Sequence, residues 1–216
     1  PVSTRLVGNL LAGLARRGRD PGRTTAALGT TAAALLDRLG LPHQALQPGR
    51  TGVVLVGPDA AADTVAAVTA AAEAGATVVF LPGAPLAQAF GLERREQRLF
   101  RGQFSADPLL AGLTDADLHL KAWATMDLPR AAAGWQPLVE PGLIAARPCG
   151  RGRLVACELD PWPAPGTRQA VKSARVWSRL LAAAGAAPAP ETSVLEPPTA
   201  AEPAEPWESM PGYLLW

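Results

Sequence analysis

Gly52-Val53-Val54-Leu55-Val56 and, further along, Ala76-Thr77-Val78-Val79-Phe80-Leu81 are short, rich in β-branched residues and apolar on both faces. A strand with water on one side alternates apolar and polar residues. A strand that does not alternate is buried on both sides, as in the centre of a parallel sheet. Between the two stretches, Gly57-Pro58-Asp59 forms a turn, and Asp59 suits the N-cap of a helix over residues 60–74. Val65, Val68 and Ala72 supply that helix with a buried row, and Gly75 ends it. Strand, helix and strand in this span form a βαβ unit, with parallel strands and a right-handed crossover.

Upstream, Thr24–Leu28 reads as a further strand. Thr30 or Thr31 caps a helix through Leu39, with Leu35, Leu36 and Leu39 inward; Gly40 and Pro42 stop it. Val2–Ala15 reads as an amphipathic helix. Its stripe of Leu6, Leu10 and Leu14 needs cover from this domain or from a preceding one.

Downstream, Pro85–Phe90 and Glu93–Arg98 are expected as short helices, 107–113 as a loop with a helical turn, and Trp123–Leu128 as an edge strand. Leu143–Arg147 and Arg153–Leu159 are expected to form a hairpin centred on Arg151. Gly150 and Gly152 would supply positive φ there. After a Pro-rich loop, a last helix runs from Thr167 or Arg168 to Ala184, with Val171, Ala174, Trp177, Ser178 and Leu181 inward and Gly185 at its end. Residues 1–185 thus form one α/β domain. Residues 186–216 form an extended tail with seven Pro, five Glu, no Lys or Arg, and the aromatics Trp207, Tyr213 and Trp216.

Composition narrows the function. Of the 216 residues 48% are apolar and 18% charged, which fits a packed core and excludes disorder for the bulk. No apolar run approaches the roughly 18 residues a membrane helix needs. The net charge of +1 argues against nucleic acid as a partner. Since the tail holds five of the 19 acidic residues and none of the 20 basic ones, the body carries +6. Long-range attraction between tail and body follows, with Trp207 and Trp216 expected to dock. Two Cys and two His cannot make a disulfide framework or a closed Cys/His zinc site. The chain begins at Pro1 with no signal-peptide pattern and reads as a piece of a longer protein, its compartment open.

Several segments together carry a resemblance: VVLVGPDA at 53–60, AAEAGATVVFLPG at 71–83, DPLLAGL at 107–113, GLIAARPCGRGRLVACELDPW at 142–162, and a helix ending LLAAAG at 180–185. With RLVGNLLAGLA at 5–15 and PWESMPGYLLW at 206–216, the chain resembles a particular accessory domain. That domain is the class I glutamine-amidotransferase-like module near the C-terminus of bacterial glycoside hydrolases of the family 2, β-galactosidase type. The resemblance implies a flavodoxin-like three-layer sandwich with a mostly parallel central sheet, a late antiparallel hairpin and an extended Pro-rich tail. It also implies that two carboxylates in a separate upstream TIM barrel cut the glycosidic bond. No such barrel fits in this length. The partners implied are upstream TIM-barrel and β-sandwich domains of the same chain, a second copy, and carbohydrate only through the parent.

An amidotransferase needs a Cys on the sharp turn after a central strand. Here that turn is Leu81-Pro82-Gly83-Ala84. Cys149 and Cys157 lie on the late hairpin and read as structural thiols, with a disulfide or a nucleophile as the alternatives. His43 sits in a loop, and His119 lies near Asp115 and Asp117; solvated positions are the plain reading, a general base or metal site the other. Where relatives of this fold carry a His before the Pro of their PLLxGL-like segment, this chain has Asp107. Glu140, Glu158 and Asp160 gather around the hairpin and read as its solvated rim, with a pair of glycoside-cutting carboxylates as the alternative. Glu158 and Asp160 would share a face if Leu159 points the other way. Gly57-Pro58-Asp59-Ala60 lacks the spacing and Lys of a phosphate loop. Trp123, Trp135 and Trp177 read as packing residues, and Trp162 between two prolines as an exposed platform for a sugar ring. The expectation is no catalytic residue, no cofactor and no metal in this segment. A stand-alone ligand-binding module is the alternative, and an enzyme in its own right the third reading.

Overall fold

In the computed structural model the described residues are 24–186, apart from 48, 100–102, 115–116, 118–123, 132 and 164–166. The expected Val2–Ala15 helix and the tail beyond Ala186 lie outside the described residues, as do Asp115, His119, Trp123, Trp207, Tyr213 and Trp216. Among the described residues the fold is α/β, with a mixed sheet of seven strands. Its strands are β1 (Thr24–Leu28), β2 (Thr51–Val56), β3 (Thr77–Phe80), β5 (Gln103–Phe104), β7 (Gln136–Glu140), β8 (Ile144–Cys149) and β9 (Gly152–Cys157). A separate two-stranded ribbon pairs β4 (Arg94–Leu99) with β6 (Ala124–Pro129). The helices are α1 (Thr30–Arg38), α2 (Val65–Glu73) and α3 (Arg168–Ala184).

Strand order in the sheet is β1-β2-β3-β9-β8-β7-β5. The four strands β1, β2, β3 and β9 are parallel, and β8, β7 and β5 extend them antiparallel. The period of two in the central strands divides the core. Val53, Leu55, Val79, Leu81, Val155 and Cys157 face α1 and α3, against Leu35, Leu36, Trp177, Leu180 and Leu181. Val54, Val56, Val78, Phe80, Leu154 and Ala156 face α2, against Val68, Ala71 and Ala72. Helices therefore cover both faces, and this is why these strands do not alternate in polarity.

The βαβ reading of 52–81 holds, and β1 follows the expected bounds. Several local expectations are corrected. Asp59 does not cap the helix that follows it: a 3-10 turn over Ala62–Thr64 intervenes, and α2 starts only at Val65. The N-cap of α1 is Gly29 rather than either threonine, and its free N–H groups are taken by Asp59. Glu93–Arg98 is not a helix. It holds no apolar stripe, Gly91 at φ +73° ends the preceding 3-10 turn, and the segment pairs along its length with β6. The late hairpin is out by one position: Cys149 opposes Gly152 and Cys157 opposes Ile144, around a loop of Gly150 and Arg151.

Only Gly150 has a positive φ in that hairpin. Gly152 is required for another reason. A Cβ there would run into the backbone oxygens of Ala76 and Ala72, where α2 leads into β3. The inner face of α3 is also rotated from the expected one: Ala170, Ser173, Val176, Trp177, Leu180 and Leu181 are buried, while Val171, Ala174 and Ser178 are only half-buried. Its ends are as read. Thr167 accepts a hydrogen bond from the Ala170 N–H, and Gly185 closes it in the left-handed conformation.

Candidate functional site

In a parallel sheet the ends of the strands meet at the carboxyl edge, where ligands of α/β folds commonly bind. Three turns gather there: Leu28-Gly29-Thr30, Gly57-Pro58-Asp59 and Leu81-Pro82-Gly83. Glu158, just beyond β9, joins them.

The first βα turn is filled by the protein itself. The Asp59 carboxylate accepts the Thr30 N–H at 2.6 Å, the Thr30 hydroxyl at 2.5 Å and the Thr31 N–H at 3.3 Å. The Thr30 hydroxyl hydrogen bond does most to hold the Asp59 carboxyl down, to about 2. The helix N-terminus at which a phosphate would sit in other α/β proteins is thus taken by an internal carboxylate.

The second feature lies beside the turn after β3. Glu158 is only 5% exposed, and its Oε1 stands 2.9 Å from the Arg94 Nε. The Gly83 N–H donates to its other oxygen at 3.3 Å. Burial raises the Glu158 carboxyl above the usual carboxylate range, against the pull of the Arg94 charge. Asp127 of β6 adds a further upward push. Among the described residues the buried Arg94 Nη2 has no hydrogen-bond partner. A central donor of the crevice and a buried guanidinium are therefore committed to one carboxylate.

The carboxylates singled out in the sequence do not form one centre. Asp160 is exposed, and its carboxylate accepts the Trp162 N–H at 2.8 Å in a local turn. Its carbonyl accepts the Ser173 hydroxyl at 2.6 Å, tying that turn to α3. Glu140 is exposed at the end of β7. Among the described residues no hydrogen-bond partner is shared between Glu158, Asp160 and Glu140. Asp107 caps its own turn through the Leu109 N–H and pairs with Arg153 at 3.1 Å. Arg153 is the second residue of β9, about 16 Å along the strand from Glu158. Asp117, buried, holds the Thr114 N–H and Arg175. His43 lies 3.7 Å from Asp37 beyond the end of α1.

Both cysteines are free. Cys157 is fully buried, and burial pushes its thiol up to about 12, which suits a packing residue rather than a nucleophile. Cys149 packs against the α2-side cluster and Cys157 belongs to the other, so they lie on opposite faces of the hairpin. Trp135 and Trp177 are core residues, and the Trp135 indole donates to the Phe90 carbonyl. Trp162 is 41% exposed, the one exposed large apolar side chain among the described residues. The Arg38 guanidinium lies 5.4 Å from its ring centre and donates to the Pro161 carbonyl, so the ring is held.

Sequence reasoning found Glu158 but missed Arg94, which is 64 positions away in a segment read as helix. Asp127 lies in the stretch 123–128 read as an edge strand, which is indeed β6, but its approach to Glu158 was missed because the strand it pairs with was read as helix. Among the described residues no group of three or more His, Cys, Asp or Glu is placed to hold a metal, and no helix is long and apolar enough to cross a membrane. No family model matches the chain. No curated protein matches it either.

Proposed function

We propose that this chain is a non-catalytic, flavodoxin-like accessory module of the amidotransferase-like kind, belonging to a glycoside hydrolase of the family 2, β-galactosidase type. Its work is to support the catalytic barrel of that parent or to build its oligomer. The observation that carries the reading is the state of the carboxyl edge. The turn where an amidotransferase places its Cys reads Leu81-Pro82-Gly83-Ala84, and the Gly83 N–H there is spent on Glu158. Glu158 in turn is held by Arg94, and Asp59 holds the N-terminus of α1. A crevice closed by its own side chains suits a scaffold better than an active site. The glycosidase assignment rests on the segments quoted above and on nothing in the geometry.

The test is made in the parent chain and in the isolated one. The isolated chain, given aryl glycosides and glutamine, is expected to turn over neither. Excision of the module from the parent is expected to weaken its assembly or heat stability. Turnover by the isolated chain that disappears on Glu158→Gln overturns the proposal, as does an upstream reading frame that encodes no barrel.

A second reading has one observation in its favour. Trp162 is exposed, held in place by Arg38, and flanked by the Asp160 carboxylate, a set suited to stacking on a sugar ring. Oligosaccharide-dependent quenching of Trp fluorescence, absent in Trp162→Ala, would favour that reading over the first.

A further inference from the structure

Arg94 has a second carboxylate within reach. On the β4–β6 ribbon, Arg94 opposes Pro129 and Glu96 opposes Asp127. Residues directly opposed share a face, and so do residues two apart along one strand. Asp127 is therefore the diagonal neighbour of Arg94, at a spacing that long side chains span. Asp127 is exposed, whereas Glu158 is buried. In its present place, among the described residues, the guanidinium makes one ion pair through Nε and leaves Nη2 buried and unpartnered. A position with an unspent donor is held only by the charge opposite it.

We propose that Arg94 is a two-position latch: it ties the ribbon to the sheet while Glu158 is ionised, and moves to Asp127 when Glu158 takes up a proton. The guanidinium itself stays charged throughout. Once Glu158 is neutral, a mostly buried cation has lost its counter-charge, and a position in water beside Asp127 is preferred. Among the described residues, the groups acting on the Glu158 carboxyl are Arg94 and Asp127 of the ribbon and the Gly83 N–H, while the thiol of its chain neighbour Cys157 is packed in the core toward α1 and α3. Burial already favours the neutral carboxyl, so the exchange belongs to mildly acid conditions. Leu92 and Leu128 are buried at the base of the ribbon and stay in place, so Arg94 moves without unfolding the domain.

NMR of the full chain tests the latch. The Glu158 carboxyl carbon and the Arg94 Nε–H are followed from neutral to mildly acid pH. Both signals are expected to shift with one midpoint, above the ordinary Glu value. Glu158→Gln should hold the Arg94 signal at its acid position at every pH. Asp127→Asn should change the acid position and leave the neutral one. An Arg94 signal that stays put while Glu158 titrates overturns the latch, and so does an unchanged shift in Glu158→Gln. Should that variant not fold, the titration of the unaltered chain decides alone.

Discussion

The Asp59 carboxylate, on the loop after β2, receives the N–H of Thr30 at 2.6 Å and so caps a helix that begins 29 residues earlier. The contact joins the first two βα turns of the parallel sheet. It also accounts for two glycines. A Cβ at Gly29 or Gly57 would stand 2.5 or 2.6 Å from the Asp59 Oδ1. The carboxylate needs room, and these positions leave it.

Removing the cap by Asp59→Ala is expected to cost about 1 kcal/mol, the usual loss for a helix cap. The pH dependence carries its own sign. The folded-state value, about 2, lies below the ordinary aspartate value of 3.8, so the contribution is present above 3.8 and lost as pH falls toward 2. Urea melts of both chains over that range should converge in acid. Equal stability at neutral pH would show that the contact carries no weight.

Gly152 lies against the backbone of residues 72–76, where α2 leads into β3. Gly152→Ala places a methyl against the Ala76 and Ala72 oxygens, and neither belongs to a side chain that can turn away. An overpacking cost of about 1–3 kcal/mol is expected. Gly150→Ala meets a different obstacle, a φ of +56° and the Glu73 Cα at 2.5 Å. Thermal melts of the two variants should both fall below the parent chain. A Gly152→Ala melt that matches it would mean that α2 and β9 lie further apart than described.

The sequence was readable where local pattern and tertiary role agree. β2 and β3 are apolar on both faces because helices cover both faces, and α3 carries both of its own end signals in Thr167 and Gly185. Of the ribbon only residues 123–128 were readable as a strand; the partner strand and the pairing were not. Arg94-Arg95-Glu96-Gln97-Arg98 holds no apolar alternation, and only its pairing with residues 124–129 makes it a strand. Pro137 hid β7, because proline argues against a strand, and the ladder shifts register between Pro137 and Val139. Asp59 misled for a related reason: its spacing suits the helix after it, while the tertiary contact serves the helix before it. Glu158 was legible as a carboxylate near a strand end, but its burial and its pairing with Arg94 depend on the ribbon.

The two thiols should differ in reaction with a disulfide reagent at mildly alkaline pH. Cys149 is half-buried at the hairpin end, while Cys157 is buried and pushed up to about 12. One thiol per chain is expected to react slowly in the folded protein and the second only in urea. Two fast reactions without denaturant would contradict the burial of Cys157. No reaction at all, restored by a reductant, would reveal a disulfide that the hairpin register forbids.

The Arg94–Glu158 pair sets removal of one partner against removal of both. Arg94→Met strands a buried carboxylate, and about 3–5 kcal/mol is expected to be lost at neutral pH. Glu158→Leu strands the guanidinium, which has Asp127 and water as a refuge, so a smaller loss is expected. Replacing both leaves no buried charge, and stability close to that of the parent chain should return. The pH dependence separates this from simple loss of packing. The folded-state Glu158 value is raised above its unfolded one. Between the two values the folded chain binds more protons than the unfolded one, so this group's contribution is largest in acid and falls as pH rises through the folded value. Without Arg94 the folded value rises further, and the deficit of Arg94→Met should shrink as the medium is acidified. A deficit that stays constant with pH, or a double variant no better than Arg94→Met, would mean that Arg94 stabilises the domain by contact rather than by charge.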